Sequence, residues 1–174
     1  MQALAARGVI GDFRTPEMAT MPRRGVIYAV GPSPLDPNTI WAGTDDGRVH
    51  LTTDDGDAWK DVTPKQVKGL YVAHLEASFH DQQTAYCAID GHRSDVFKPI
   101  VLMTDNGGDK WRDITGDLPP GSPVRVVRED PEREGLLYLG SEWGMFVSFD
   151  DGASWQSFQL GLPVTPVTDL QVHQ

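Results

Sequence analysis

A short phrase that occurs three times constrains the fold of this chain more than any other feature. It reads TTDDGDAW at residues 52–59, TDNGGDKW at 104–111 and SFDDGASW at 148–155. Copies spaced by roughly 40–50 residues are typical of repeated supersecondary units, so the sequence predicts a repeat protein. The positions that define the phrase are Thr52, Asp54, Gly56 and Trp59 in the first copy, Thr104, Asn106, Gly108 and Trp111 in the second, and Ser148, Asp150, Gly152 and Trp155 in the third.

The residues around each copy predict four short β-strands per unit. Stretches rich in β-branched and aromatic residues precede the copies, for example GVIYAV with TIWAG and PVRVVRE with LLYLG, and a short polar strand follows each tryptophan. No helical periodicity is present. Four-stranded units at this period indicate propeller blades. The predicted fold class is therefore all-β, a partial β-propeller of about three four-stranded blades plus the first strand of a fourth.

The same pattern predicts the boundaries of the units. The blades are expected at about 25–62, 67–115 and 122–160, and residues 164–174 read as the partial fourth blade. Residues 1–24 lack the pattern and are predicted to be an N-terminal arm that need not be ordered. Propellers close with typically four to eight blades, so three blades would leave two apolar faces uncovered. We therefore expect a homodimer, or a larger closed ring of copies.

Each residue type in the phrase suits a turn between the third and fourth strands. Gly tolerates a positive φ, the short polar side chains satisfy loop amides, and the tryptophan can wedge between neighbouring sheets. The alternative is a calcium loop of the EF-hand type. With Gly56 at its sixth position, Leu51 and Val62 would be the first and twelfth ligands, and neither side chain can coordinate calcium. The phrase therefore predicts a structural turn, with no metal and no cofactor.

The pattern Thr/Ser-x-Asp-x-Gly-x-x-Trp resembles the Asp-box, or bacterial neuraminidase repeat, of sialidases and sortilin-type propellers. The likeness covers about residues 25–174. SPLDPNTIWAGTDDGRVH and DGHRSDVFKP are similar to late blades of sortilin-like bacterial repeat proteins that are often labelled glycosyl hydrolases. The resemblance implies a propeller in which the box is a fold element distant from the ligand site. It implies little about activity, and PRRGVIYA at 22–29 does not match the Arg-Ile-Pro segment of sialidases.

The turns between the second and third strands should lie on the face opposite the repeated phrase. They read GTDDGR at 43–48, DGHRSDVFKP at 90–99 and GSEWG at 140–144. A ring beside carboxylates and basic groups suits sugar binding, and two carboxyls about 5 to 9.5 Å apart would suit a glycosidase. The alternative is that these are ordinary turn residues. The candidate ligand-binding residues are Asp45, His92, Arg93 and Trp143, and the candidate catalytic carboxyls are Asp46, Asp95 and Glu142.

Inner strands contribute a second polar set. It consists of His74, Glu76, Arg125 and Arg128, which either line a central channel or pack there.

Charge and composition argue against several classes of partner. The net charge of −10 disfavours nucleic acid, because nucleic-acid binders concentrate Lys and Arg. No apolar stretch approaches the roughly 18 residues of a membrane helix. The first 25 residues hold no sustained apolar segment, so no signal peptide is predicted, although the resembling family is often secreted.

The sequence favours a non-catalytic binding or assembly module with a glycan or protein ligand. The alternative is a carbohydrate-active hydrolase, or a fragment of one.

Overall fold

The structure is a computed structural model that describes residues 25–67 and 69–173. These residues form three antiparallel four-stranded sheets and two three-residue 3-10 helices, at Lys65–Val67 and His92–Ser94. The predicted arm at 1–24 lies outside the described residues. No described helix is long and apolar enough to cross a membrane. The strands are β1 Ile27–Pro32, β2 Ile40–Thr44, β3 Val49–Thr52, β4 Lys60–Asp61, β5 Tyr71–Ala77, β6 Ala85–Asp90, β7 Val101–Thr104, β8 Arg112–Asp113, β9 Val124–Glu129, β10 Leu137–Ser141, β11 Gly144–Ser148 and β12 Gln156–Ser157.

Each sheet keeps the order of its strands along the chain, and consecutive sheets pack against each other. The first sheet has the order β1-β2-β3-β4, the second β5-β6-β7-β8 and the third β9-β10-β11-β12. The apolar core consists of two layers between sheets. One layer contains Trp41, Leu51 and Leu75. The other contains Val101, Val127 and Leu139. The core is therefore divided between two sheet-to-sheet interfaces.

The three repeated turns share one hydrogen-bond pattern. In the third copy, the Ser148 hydroxyl donates to Oδ1 of Asp150 (2.8 Å) and accepts from the Gly152 N–H (2.9 Å). Oδ1 of Asp150 also accepts from the Ser154 N–H (2.9 Å). The first copy repeats these bonds with Thr52, Asp54, Gly56 and Ala58, and the second with Thr104, Asn106, Gly108 and Lys110. The residue before each glycine also has a positive φ, at Asp55, Gly107 and Asp151.

Two of the three tryptophans tie their sheet to the preceding one. Nε1 of Trp111 donates to the carbonyl oxygen of Val62 (2.8 Å), and Nε1 of Trp155 donates to that of Ile114 (2.9 Å). The exposed fraction of Trp155 is 6 %, whereas that of Trp59 is 45 %. Because Trp59 belongs to the first sheet, no preceding sheet covers it among the described residues.

Residues 164–173 lie against the third sheet without forming a ladder. Val167 N–H donates to the carbonyl oxygen of Ser141 (2.9 Å), and Nε of Arg128 donates to that of Leu170 (2.9 Å). The sequence predicted a strand here, and no strand is assigned to this described segment. A strand needs a hydrogen-bonded neighbour, and the described residues provide no further strand beside it. The segment nevertheless occupies the place next to the third sheet where a fourth sheet would begin.

Candidate functional site

The predicted ligand loops lie together at one end of the sheets, which we call the upper rim. The rim comprises the turns at 45–48, 91–100 and 142–143, and the first residues of β1, β5 and β9. Strand pairing places these segments together, because Ile27 pairs with Thr44 and Tyr71 pairs with Asp90. The repeated turns lie at the opposite end, since Ile40 pairs with Thr52. The upper rim is therefore separated from the repeated turns by the length of the strands.

Arg125 joins two loops of the rim. Its guanidinium forms an ion pair with Oδ2 of Asp90, from the second sheet, and donates to Oε2 of Glu142, from the third (2.9 Å through Nη2). The Asp90 side chain is fully buried. A buried carboxylate is costly unless it is paired and hydrogen-bonded, so this contact holds the two sheets in a defined relation.

Asp90 also orients His92. Oδ2 of Asp90 lies 2.7 Å from Nδ1 of His92, and Oδ1 accepts from the His92 backbone N–H (3.0 Å). In the tautomer with its proton on Nδ1, His92 donates to Asp90, and its Nε2 is then a hydrogen-bond acceptor. The predicted residues His92 and Glu142 are thus brought together through two residues, Asp90 and Arg125.

A second group of the rim is aromatic. The guanidinium carbon of Arg93 lies 4.6 Å from the centroid of the Tyr71 ring, within the range of a cation–π contact. The Tyr71 ring in turn meets the Tyr28 ring edge to face, with centroids 4.5 Å apart. Tyr71 is buried, while Tyr28 and Arg93 are exposed. Arg93 therefore presents its N–H groups to solvent from a stacked position.

Trp143 forms the far end of the rim. Its ring lies 3.6 Å from the place that a Cβ at Gly121 would take, and 44 % of the residue is exposed. Its backbone is fixed on both sides, because its N–H donates to Oγ of Ser141 (3.2 Å) and its carbonyl accepts from Nε2 of Gln159 (2.9 Å). The ring is thus an exposed apolar surface on a well-held backbone.

The remaining predicted residues make contacts within their own sheets. Asp45 accepts from the Val26 N–H (2.8 Å), and Asp46 accepts from the Thr44 hydroxyl (2.5 Å). Asp95 ends the 3-10 helix with a left-handed backbone, at a φ of 58°. Among the described residues, no hydrogen bond or ion pair links the carboxylates of Asp46 and Asp95 to that of Glu142. The three candidate carboxyls are therefore not joined in one hydrogen-bonded set.

Sequence reasoning missed the residues that organise the rim. Asp90 and Tyr71 were not singled out, and Arg125 was considered only as part of the inner strands. The available signal was Arg125, a charged side chain between the valines of the strand VRVVRE, since a charge in a buried strand needs a partner.

A second polar cluster lies at the opposite end of the inner strands. Glu76 pairs with Arg128 (2.7 Å), and burial raises the pKa of Glu76. Glu129 accepts from the Phe79 N–H (2.7 Å). These residues line a cleft of about 190 Å³, which residues 171–173 close on one side. Within the described ranges, no three His, Cys, Asp or Glu side chains come together as a metal site.

Comparison with solved structures shows the fold. The chain is similar to YCF48 bound to D1 peptide, with a TM-score of 0.60 and 19 % identity over 78 % of this chain and 41 % of that one. It is also similar to an ancestral GH74 enzyme (TM-score 0.61, 24 % identity, 76 % and 18 % covered). A third is the GH74 xyloglucanase from Xanthomonas campestris (TM-score 0.60, 14 % identity, 79 % and 24 % covered).

The chain spans less than half the length of these relatives. No protein-family model and no curated protein matches its sequence. At these identities the likeness concerns the fold alone. Together with the three four-stranded sheets, it confirms the prediction of an all-β, partial β-propeller.

Proposed function

We propose that the chain is a non-catalytic binding or assembly module of the Asp-box propeller type, whose ligand, a protein segment or a glycan, contacts the upper rim. The observation that supports this proposal is which side chains of the rim are already paired within the protein and which are exposed. Glu142 and His92 are engaged with Arg125 and Asp90, whereas Arg93 and Trp143 are exposed. Arginine and tryptophan are the residue types that contribute most to binding at protein interfaces.

The comparison with YCF48 bound to D1 peptide agrees with a peptide ligand, because that structure pairs the same fold with a peptide. The exposed Trp143 ring would also stack on the apolar face of a sugar. The net charge of −10 disfavours a nucleic acid as the ligand.

We further propose that the chain associates with itself through its open sheet faces.

The binding proposal is tested with peptide and glycan arrays, followed by titration of the best ligand. Arg93→Ala and Trp143→Ala should each weaken binding by roughly tenfold or more, as expected for central interface residues. Trp59→Ala is a matched control, because Trp59 is equally exposed at a distance from the rim. Equal effects of Trp59→Ala and Trp143→Ala would contradict the proposal.

The alternative function is a carbohydrate-active hydrolase, which the likeness to two GH74 enzymes favours. Its test is hydrolysis of a panel of aryl glycosides and of xyloglucan. Turnover that is lost in Glu142→Gln, Asp95→Asn or Asp46→Asn, with unchanged folding, would replace the binding proposal by this one.

A further inference from the structure

The contact between neighbouring sheets follows one rule in both interfaces. The tryptophan of the later sheet donates to the carbonyl of the residue that follows the last strand of the earlier sheet, as Trp111 does to Val62. The glycine of the same turn lies over that residue's side chain, as Gly152 does over Ile114. A base directly after the earlier tryptophan pairs with an acid of the later turn, which directly follows the glycine in one interface and directly precedes it in the other. These pairs are Lys60 with Asp109 (2.6 Å) and Arg112 with Asp151 (2.7 Å).

The first sheet has the donating half of this contact, with Trp59, uncovered among the described residues. Val30 takes the position of Leu75 and Val127 in the inner strands, because the three pair with Ala42, Cys87 and Leu139 respectively. The exposed fraction is 58 % for Val30, 1 % for Leu75 and 0 % for Val127. Together with the exposed Trp59, Val30 marks an apolar face shaped like the buried faces of the other two sheets.

The third sheet carries the complementary half. Phe158 directly follows β12, as Val62 follows β4 and Ile114 follows β8. Tyr138 takes the place of Trp41, whose ring meets Trp111 at 6.0 Å between centroids. Gln156 takes the place of Lys60, directly after the tryptophan.

We propose that the first sheet of one copy docks on the third sheet of a second copy by the same rule, with Trp59 Nε1 donating to the carbonyl of Phe158 of that second copy. This inference rests on the proposed self-association and adds its site. The ion pair of the other two interfaces is replaced here, because the acidic first turn would meet the neutral amide of Gln156, which can donate a hydrogen bond to a carboxylate. In this register Asp57 faces Gln156, as Asp109 faces Lys60.

The C-terminal segment competes for the inner half of the same site. Val167 lies against Gly140 as Val72 lies against Gly43. Leu170 follows Val167 by the same interval that separates Leu75 from Val72. The segment therefore occupies the place that the inner strand of the docking copy needs. Displacing residues 164–173 is thus part of the association.

Sedimentation velocity over a range of concentrations tests the docking site. Trp59→Ala should weaken association by at least about tenfold, whereas Trp143→Ala, the matched exposed tryptophan on the upper rim, should not change it. Gln156→Glu should weaken association by roughly two- to fivefold, because it places a carboxylate opposite Asp57. Adding Asp57→Lys to that variant should restore association, because it turns the repulsion into an ion pair. Association that persists unchanged in Trp59→Ala would overturn this site while leaving self-association standing.

The competing segment is tested by Val167→Asp, a change at a half-buried position outside the three sheets that should lower the melting temperature only slightly. It should strengthen association, and Trp59→Ala should abolish that gain. An unchanged or weaker association in Val167→Asp would overturn the competition.

A chain that remains monomeric in every variant would overturn both this inference and the proposed self-association. If residues 1–24 cover the first sheet, Trp59→Ala should lower the stability of the monomer without affecting association, which would also overturn the inference.

Discussion

At the scale of single residues, the repeated turn shows how one side chain satisfies several backbone groups. Hydrogen bonds from the Ser154 side chain and backbone, and from Ser148, hold the pKa of Asp150 below its usual range. The second turn has Asn106 in the equivalent position and makes the same two Oδ1 contacts. An acceptor oxygen at that position is therefore what the turn requires, rather than a charge.

Asp150→Ala should lower the melting temperature, because the Ser154 N–H and the Ser148 hydroxyl lose their acceptor. Asp150→Asn should keep most of the stability at neutral pH. Because the folded pKa of Asp150 is lowered, its contribution is present above pH about 4 and is lost as the pH falls through the folded value. The asparagine variant should lose less stability in acid than the wild type. Thermal melts at pH 7 and pH 3 measure both effects, and equal losses from the two substitutions would contradict them.

The tryptophans should differ in their contribution to the free energy of unfolding according to their burial. Trp155→Ala should cost about 3–5 kcal/mol, since it removes a large buried ring and the hydrogen bond to Ile114. Trp59→Ala should cost far less in the monomer, because its ring is half exposed. Urea denaturation at low protein concentration checks the difference, and similar losses would show that the first sheet is covered.

His74 should make the protein sensitive to mild acid. Burial, with the charge of Arg128 acting in the same direction and Asp169 opposing it, lowers the pKa of His74 to about 4. The unfolded chain takes up this proton near pH 6.5, so the free energy of unfolding should fall by about 3 kcal/mol between pH 6.5 and pH 4. His74→Leu should remove this slope, while its stability at pH 8 stays close to that of the wild type. Parallel pH profiles for the two proteins would contradict the prediction.

At the scale of elements, the strands and turns could be predicted because their signals are local. Alternating β-branched residues, aspartates in turns and a glycine at a positive φ all act within a few residues. The link between Asp90 and Arg125 could not be predicted in the same way. These residues are far apart in sequence and meet only because the second and third sheets pack together. The segment at 164–173 has the residues of a strand, but no described neighbour pairs with it.

Arg125→Met should destabilise the protein by about 3 kcal/mol, because it leaves the buried carboxylate of Asp90 with His92 as its remaining side-chain partner. Adding Asp90→Asn should recover part of that loss, since a neutral amide costs less to bury. Chemical denaturation of the single and double variants measures the coupling. Additive effects would show that the two side chains act independently.

At the scale of the whole molecule, the repeat was the decisive signal for the architecture. Three copies of one phrase were enough to predict side-by-side sheets, and the upper rim follows from that topology. Which side chains of the rim are exposed for binding could not be predicted, because the exposure of Arg93, Tyr28 and Trp143 depends on how neighbouring loops pack. Sheets that contact only their neighbours also contribute to stability in an approximately nearest-neighbour manner.

The two interfaces between sheets differ in their chemistry, and Tyr86 shows this most directly. Its hydroxyl lies 3.0 Å from Oε1 of Glu129 and 3.0 Å from Oδ1 of Asp151, whereas Nε1 of Trp41, at the equivalent position in the first sheet, has no partner among the described residues. Apolar contact weakens on cooling, while hydrogen bonds between buried polar groups do not share that dependence. The first sheet should therefore detach before the other two as the temperature falls towards freezing. Amide hydrogen exchange at 5 °C should show β2 and β3 losing protection ahead of β10 and β11, so the molecule behaves as a stable pair of sheets with a third that opens in the cold.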